Sequence, residues 1–303
     1  MEDGLLSISA LTHALAGAAG AEVATLVFYP LDLLLTRLQN SDNGKTAKEL
    51  TELVKSEGIQ GMYRGLIPNM EAVMASNMTY FYSYHATRQV VKVQLGLRDL
   101  PTNPVGNLLI GAFAAVVNVL LTTPLWVANT RLKLQRRMGR DEEYQGLLYT
   151  VMRIAREEGL GTLWGSLIPS LILICNPSIH FTVYESIKSR LLRNKFGPSN
   201  TLTAFQAFLL GAFAKICATI ISYPLQVAQS RLRAERKSSE RSVGTLSLLK
   251  RLYKEEGFPA WYKGIGVKLA QSTLTSALMF LVYERIRAAV VKILRGRLSS
   301  KIA

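Results

Sequence analysis

The chain repeats one pattern three times at intervals of about a hundred residues. In each copy an apolar stretch containing a proline is followed by a polar stretch, a Glu-Gly pair and an aromatic residue. A unit of this length is too long for an ordinary solenoid repeat, so the pattern predicts three modules around a pseudo-threefold axis. The prolines are Pro30, Pro124 and Pro224, and the glutamates are Glu57, Glu158 and Glu256.

Each module contains two long apolar stretches, and 49% of the 303 residues are hydrophobic. Every stretch exceeds the ~20 residues that a membrane-spanning helix needs. Gly/Ala-rich runs at 16–20 and 111–115 let helix backbones approach closely, which disfavours the alternative of a soluble α-solenoid. The sequence therefore predicts an all-α membrane protein with six tilted transmembrane helices. The stretches cover 11–38, 66–95, 105–134, 167–192, 202–232 and 267–294.

Basic residues outnumber acidic ones, with 36 Lys and Arg against 21 Asp and Glu. They concentrate in the hydrophilic links and are not gathered with stacking aromatics on one module, so nucleic-acid binding is not favoured. Two interpretations are compatible with each other: contact with anionic lipid headgroups, and attraction of an anionic solute into a basic pore.

The sequence contains no pattern that supports catalysis or a bound cofactor. No His/Cys/Asp cluster has metal-ligand spacing, and no Ser-His-Asp arrangement or phosphate-cradling loop occurs. Cys175 and Cys217 are interpreted as small packing residues inside apolar helices. We therefore expect neither an enzyme nor a metal site. The acidic Met1-Glu2-Asp3-Gly4 start lacks a presequence, which predicts an internal targeting signal.

The second long helix of each module ends in an aromatic residue and a nearby base. In the second and third modules an acid three residues before the base completes the pattern. Such residues can pair along one helix, or between modules to close one mouth of a central cavity. The alternative is isolated snorkelling charges at helix ends. The residues of this outer gate are His85, Arg88, Glu185, Lys188, Glu284 and Arg287.

These motifs in triplicate resemble those of the mitochondrial carrier family over essentially the whole chain. The resemblance implies one transmembrane carrier domain over residues 1–303, with repeats at approximately 8–97, 103–195 and 201–296. It also implies transport by alternating access. The apolar spacing before Glu57 predicts short amphipathic helices on the inner side, and a threefold-symmetric monomer would enclose its own pathway.

A narrower resemblance comes from Thr122-Thr123-Pro124-Leu125-Trp126 and Tyr223-Pro224-Leu225-Gln226. These segments are similar to the family branch that carries nucleotide-type cofactors across the peroxisomal membrane. The implied substrates are anionic: CoA, FAD, FMN, NAD⁺ and the adenine nucleotides AMP, ADP and ATP. The implied location is the peroxisomal membrane, reached through import receptors for membrane proteins. Two alternatives remain open: a mitochondrial inner-membrane carrier for NAD, FAD or folate, and a receptor or scaffold that moves no solute.

The inner gate departs from the family pattern, in which acids and bases after the three prolines form a ring of ion pairs. Here the family's acid positions hold Asp32, Trp126 and Gln226, and its base positions hold Leu35, Asn129 and Gln229. No acid–base pair of the usual kind is possible, although the amides can form hydrogen bonds. We expect a weak inner gate and uniport besides exchange. The second module also has Gly165-Ser166 in place of the basic-glycine step.

The resemblance places the substrate site seven residues beyond each aromatic-basic-glycine step. We expect Lys215 and Lys268 to contact phosphates, the apolar residues at 172–174 to pack an adenine ring, and Gln271 to bond a base or ribose. Simpler interpretations remain open: a Lys215 ion pair with Glu22, helix packing by His180, a helix-linking bond at Asn118, and a kink at Asn176-Pro177. The candidates are Glu22, Asn69, Ala72, Asn118, Ile172, Leu173, Ile174, Asn176, His180, Lys215, Lys268 and Gln271, with Ser76 and Thr275 beside them.

Overall fold

A computed structural model describes residues 8–41, 55, 58, 60–94, 104–135, 146–193, 203–235, 244–278 and 285. The chain divides into two compact units. The first unit is Met1–Leu35 with Gly266–Ala303, and the second unit is Thr36–Ile265.

All regular structure in the described ranges is helical, which confirms the predicted all-α class. The first repeat contributes α1 (Ile8–Asn40) and α2 (Leu66–Gln94). The second contributes α3 (Pro104–Leu134), α4 (Leu147–Glu157), α5 (Leu167–Leu173) and α6 (Asn176–Arg193). The third contributes α7 (Ala204–Ala234), α8 (Thr245–Glu256) and the helical residues 265–278, named α9. Short 3-10 turns at Leu160–Trp164 and Phe258–Tyr262 follow α4 and α8.

Three helical segments within the described residues are long and apolar enough to cross a membrane: Gly106–Leu134, Leu160–Leu192 and Gln206–Ala234. At a rise of about 1.5 Å per residue each exceeds the ~30 Å hydrocarbon core, even when tilted. Pro124 and Pro224 lie inside the first and third of these segments, as predicted. The prediction of a helical membrane protein is confirmed.

The long helices of the second unit bury several small side chains and expose several large ones. Helix α2 packs against α3, and α6 packs against α7. Ala72, Ala114 and Ala218 are fully buried, whereas Phe113 and Phe213 are more than half exposed. Close approach through small residues is how helices associate when lipid removes the hydrophobic drive. This inverted distribution is that of a protein whose solvent is the bilayer.

The apolar stretch predicted as one helix over 167–192 is interrupted at Ile174 and Cys175, where α5 ends and α6 begins. Proline has no N–H, so Pro177 cannot donate to the Leu173 carbonyl four residues earlier. The amides of Ile174 and Cys175 instead donate to the carbonyls of Leu171 and Ile172, at 3.2 and 3.1 Å. The interruption follows from this tighter turn.

The glycine of each Glu-Gly pair lies in a left-handed conformation. Its φ is 64° at Gly58, 89° at Gly159 and 79° at Gly257. An L side chain rarely adopts these angles, so glycine is favoured at all three positions. At Gly159 and Gly257 these angles form the turns that follow α4 and α8.

We expect Gly257→Ala to destabilise the protein by about 1–3 kcal/mol because φ 79° and ψ −174° are accessible essentially to glycine alone. An added Cβ would lie 3.6 Å from Pro259 Cδ, an ordinary contact, so the cost comes from the backbone. Thermal unfolding in detergent measures the effect. Gly244→Ala is the matched control, since its φ is −62° and the site is open. An equal loss in both variants would contradict the explanation.

Candidate functional site

The end of α7 is held by Arg131 of α3. The Arg131 Nη1 and Nη2 atoms donate to both carboxylate oxygens of Glu158, at 2.5 and 3.0 Å. Its Nε and Nη2 also donate to the carbonyls of Arg233 and Glu235, at 3.3 and 2.5 Å. The last carbonyls of a helix have no partner within the helix and carry partial negative charge. Arg131 therefore caps the neighbouring repeat while Glu158 holds its guanidinium in place.

The third repeat forms the same arrangement around Glu256. Arg231 bonds Glu256 at 3.1 Å and donates to the Gln39 carbonyl at 2.8 Å. Lys263 also pairs with Glu256 and donates to the Ser41 carbonyl at 2.7 Å. Burial raises the pKa of Glu256, but the hydrogen bonds and charges of Lys263 and Arg231 outweigh it and lower the pKa below 4.5. Glu256 is thus held as a carboxylate.

The missing basic residue of the second repeat is replaced by Arg131. Arg64 and Lys263, from the aromatic-basic-glycine steps, donate to the carbonyls of Gln135 and Ser41, each eleven residues after a repeat proline. At the equivalent Glu235 carbonyl the donor is Arg131, since the second repeat has Gly165. A Cβ added at Gly165 would lie 3.3 Å from the Thr162 carbonyl oxygen, which is tight.

Two amides of the inner gate, Asn129 and Gln229, bond to the preceding repeat. Asn129 Nδ2 donates to Asn69 Oδ1 at 3.0 Å, and Lys133 Nζ donates to the same oxygen at 2.8 Å. All three side chains are buried between α2 and α3. In the next repeat Gln229 Nε2 donates to Ser170 Oγ at 2.8 Å. The expected hydrogen bonds of these two amides are therefore present: one joins α3 to α2, and the other joins α7 to α5.

The remaining gate residues of the second unit lie in two further contacts. Gln226 Nε2 and Asn176 Nδ2 both donate to Ser222 Oγ, at 2.9 and 3.1 Å. The Arg233 guanidinium carbon lies 5.5 Å from the centroid of the Trp126 ring. Asn176, a substrate candidate, thus links α6 to α7.

In the first unit the Gln271 carboxamide donates to Asp32 Oδ1 at 3.2 Å. Its own Oε1 atom is buried and has no protein partner. Pro30 lies inside α1 two residues before Asp32, and Lys268 is half-buried on α9. The backbone of Glu22 lies in α1, while its side chain is outside the described residues, so its pairing with Lys215 stays a prediction.

The substrate candidates of the second unit have different environments. Ala72 is fully buried against Val127 and Ala128, where it serves packing between α2 and α3. Asn118 and Ser76 bond each other across those helices, with Asn118 Nδ2 to Ser76 Oγ at 3.1 Å. His180 Nε2 lies 3.3 Å from the Gly211 carbonyl oxygen. For Asn118 and His180 this geometry is that of the helix-linking interpretation, and their substrate roles stay predictions.

Two groups of substrate candidates remain accessible in the second unit. Ile172 is 46% exposed, with Leu173 and Ile174 half-buried beside it at the end of α5. Lys215 is exposed on α7 between apolar residues. An exposed ammonium in a membrane helix can attract phosphate, and an exposed apolar turn can pack against a base. These assignments stay predictions.

Among the described outer-gate residues, Glu185 and Lys188 form a local pair. Lys188 Nζ bonds Glu185 at 3.1 Å along α6 and lies 5.7 Å from the Tyr184 ring centroid. The first repeat has no acid here: His85 packs edge-on against Tyr84, and Arg88 is exposed. Glu284 and Arg287 lie outside the described residues, as does Glu57. The described ranges contain no group of His, Cys, Asp and Glu able to hold a metal ion.

The sequence interpretation missed Lys133, Arg233, Ser170 and Ser222. Lys133 and Arg233 could have been found from their positions, because each stands nine residues after a repeat proline. The two serines gave no signal, because only helix packing shows which hydroxyl a gate amide can reach.

We expect Glu256→Gln to reduce the free energy of unfolding at neutral pH by about 2 kcal/mol. This value lies between the losses expected for breaking an exposed and a buried ion pair. A lowered pKa stabilises the fold above the unfolded pKa, and this stabilisation is lost as pH falls through the folded pKa. The difference in Tm from wild type should therefore shrink below pH 4.5. Glu157→Gln, which breaks the exposed pair with Arg153, is the control. A pH-independent difference would contradict this account.

Comparison with known proteins identifies the family. The sequence profile described as mitochondrial carrier protein matches residues 7–94, 101–195 and 200–293. The chain is 41% identical to peroxisomal membrane protein PMP34 of Mus musculus, covering 96% of each chain. It is 33% identical to the peroxisomal nicotinamide adenine dinucleotide carrier of Arabidopsis thaliana, over 96% of this chain and 99% of that protein. It is 29% identical to peroxisomal adenine nucleotide carrier 1 of Glycine max, over 94% and 92%. The resemblance seen in the motifs is confirmed, and the chain belongs to the mitochondrial carrier family.

Proposed function

We propose that this protein transports nucleotide-type cofactors across the peroxisomal membrane by alternating access. The proposed substrates are CoA, FAD, FMN, NAD⁺ and the adenine nucleotides. The observation that carries the proposal is full-length similarity to peroxisomal carriers, two of which are named for NAD and for adenine nucleotides. The carrier family accounts for the transport function, and no enzymatic activity is proposed.

The chemistry of the candidate residues is compatible with an anionic substrate. Lys215 stands exposed on α7, a helix that is otherwise apolar along most of its length. An ammonium in a medium of low dielectric constant attracts a phosphate strongly. Lys268 and Gln271 on α9 supply a second ammonium and a carboxamide in the first unit. We assign the two lysines to phosphate groups and Gln271 to a base or ribose.

The inner gate supports uniport alongside exchange. Several of its contacts in the second unit are amide hydrogen bonds, such as Asn129–Asn69 and Gln229–Ser170. A neutral hydrogen bond contributes only ~1 kcal/mol net, because water replaces the partner when the contact opens. Such a gate can reopen without a counter-substrate.

The peroxisomal location is preferred over the mitochondrial inner membrane because a peroxisomal protein shares 41% identity with the chain. This proposal includes delivery through import receptors for peroxisomal membrane proteins. It also includes contact of the basic helix ends with anionic lipids. Imaging of the tagged protein against peroxisomal and mitochondrial markers decides the location.

We expect purified protein in liposomes to take up labelled CoA, NAD⁺, FAD, AMP or ATP saturably. Lys215→Ala combined with Lys268→Ala should reduce uptake at least tenfold, because two charges that compensate the phosphates are lost. Lys250→Ala, at an exposed site on α8, is the matched control and should leave uptake unchanged.

Two results would contradict these assignments. Full uptake by the double lysine variant would remove the lysines from the phosphate site. Failure of folded wild-type protein to move any of these solutes would favour another solute or the receptor and scaffold interpretation.

A further inference from the structure

The contact between Trp126 and Arg233 joins the second repeat to the third at the inner gate. Trp126 stands two residues after Pro124, where the family pattern has an acid. The guanidinium carbon of Arg233 lies 5.5 Å from the centroid of the Trp126 ring. Tryptophan is the best aromatic partner for a cation, and the attraction grows when the pair is shielded from water.

Arg233 is held in place from two further directions. Its Nε atom donates to Ser166 Oγ at 3.4 Å, just before α5. Its backbone carbonyl accepts from Arg131 Nε at 3.3 Å. Both partners belong to the second repeat, whereas Arg233 belongs to the third. The first bond orients the guanidinium, and the second fixes the backbone from which the side chain extends.

The neighbouring contact between these repeats is the neutral hydrogen bond from Gln229 to Ser170. Beside this hydrogen bond, Arg233 adds a charged group and Trp126 adds a large apolar ring face. These contacts together form the gate layer between the second and third repeats. Moving α7 away from α3 would expose that ring face to water, which disfavours opening even when the guanidinium becomes fully hydrated. The contact therefore favours a closed arrangement without an ion pair.

We propose that Arg233 stacked on Trp126 closes the inner gate between the second and third repeats, in place of the family's ion pair. Opening toward the inner side separates the two side chains. This role rests on the proposed transport function, and both residues act as positioning groups for the gate. Loss of either side chain shifts the equilibrium toward the inward-open state.

The first experiment measures gate opening without transport. Ser170 is buried in the gate layer, so a Ser170→Cys thiol in a Cys175→Ser, Cys217→Ser background reports opening through its labelling by a water-soluble maleimide in detergent. Trp126→Leu and Arg233→Gln should each accelerate labelling about tenfold. The double variant should label no faster than either single variant, because both remove the same contact.

The controls separate loss of the contact from general loosening. Trp126→Phe keeps an aromatic ring and should label at an intermediate rate. Arg153→Gln removes an arginine from an exposed pair on α4 and should label like the parent. Unchanged labelling in Trp126→Leu, or additive effects in the double variant, would overturn the proposal.

The second experiment measures flux in liposomes with and without internal nucleotide. Trp126→Leu should raise uptake into empty vesicles about tenfold relative to exchange, since losing the contact makes reopening without a bound substrate less costly. An unchanged ratio in spite of faster labelling would overturn the role in transport. If the variants label faster but the wild-type protein moves no nucleotide, the gate would be supported and the proposed function would be overturned.

Discussion

The structure depends on carboxylates that hold basic side chains against the carbonyl ends of the long helices. Glu158 positions Arg131 at the end of α7, and Glu256 positions Arg231 and Lys263 at the end of α1. The carbonyl ends of a helix need donors and carry partial negative charge, so one guanidinium satisfies both requirements. These caps cross from one repeat to the next. They therefore determine where the gate residues, one to two turns earlier on the same helices, meet their partners.

The bilayer explains the rest of the packing. Buried alanines and exposed phenylalanines reverse the pattern of a soluble core, because burying apolar surface away from lipid offers little gain. Polar groups inside such helices need partners within the protein. Asn118 with Ser76, and Asn176 with Ser222, supply them across helix pairs. The gate amides follow the same requirement, which is why hydrogen bonds can take the positions of the family's charge pairs.

Sequence reasoning succeeded where the physical cause is local. The repeat prolines, the Glu-Gly turns and the helical class follow from ring geometry, positive φ and hydropathy. The prediction of one long helix was wrong at Ile174. Pro177 has no N–H for the Leu173 carbonyl, but the continuous apolar pattern around it predicts an unbroken helix. Sequence reasoning also assigned Ala72 to a substrate surface, whereas the side chain is buried between helices. Periodicity identifies a helix face but not which neighbour covers it.

The sequence by itself determined the triple repeat, the membrane-spanning lengths, the basic character and the loss of the charged inner gate. Only the tertiary structure decided which residues replace that gate. Asn129 meets Asn69 from 60 residues away, and Arg131 reaches the Glu235 carbonyl from 104. Trp126 meets Arg233 across a similar separation. Such contacts depend on how helices from different repeats pack, because local propensity carries no information about distant partners.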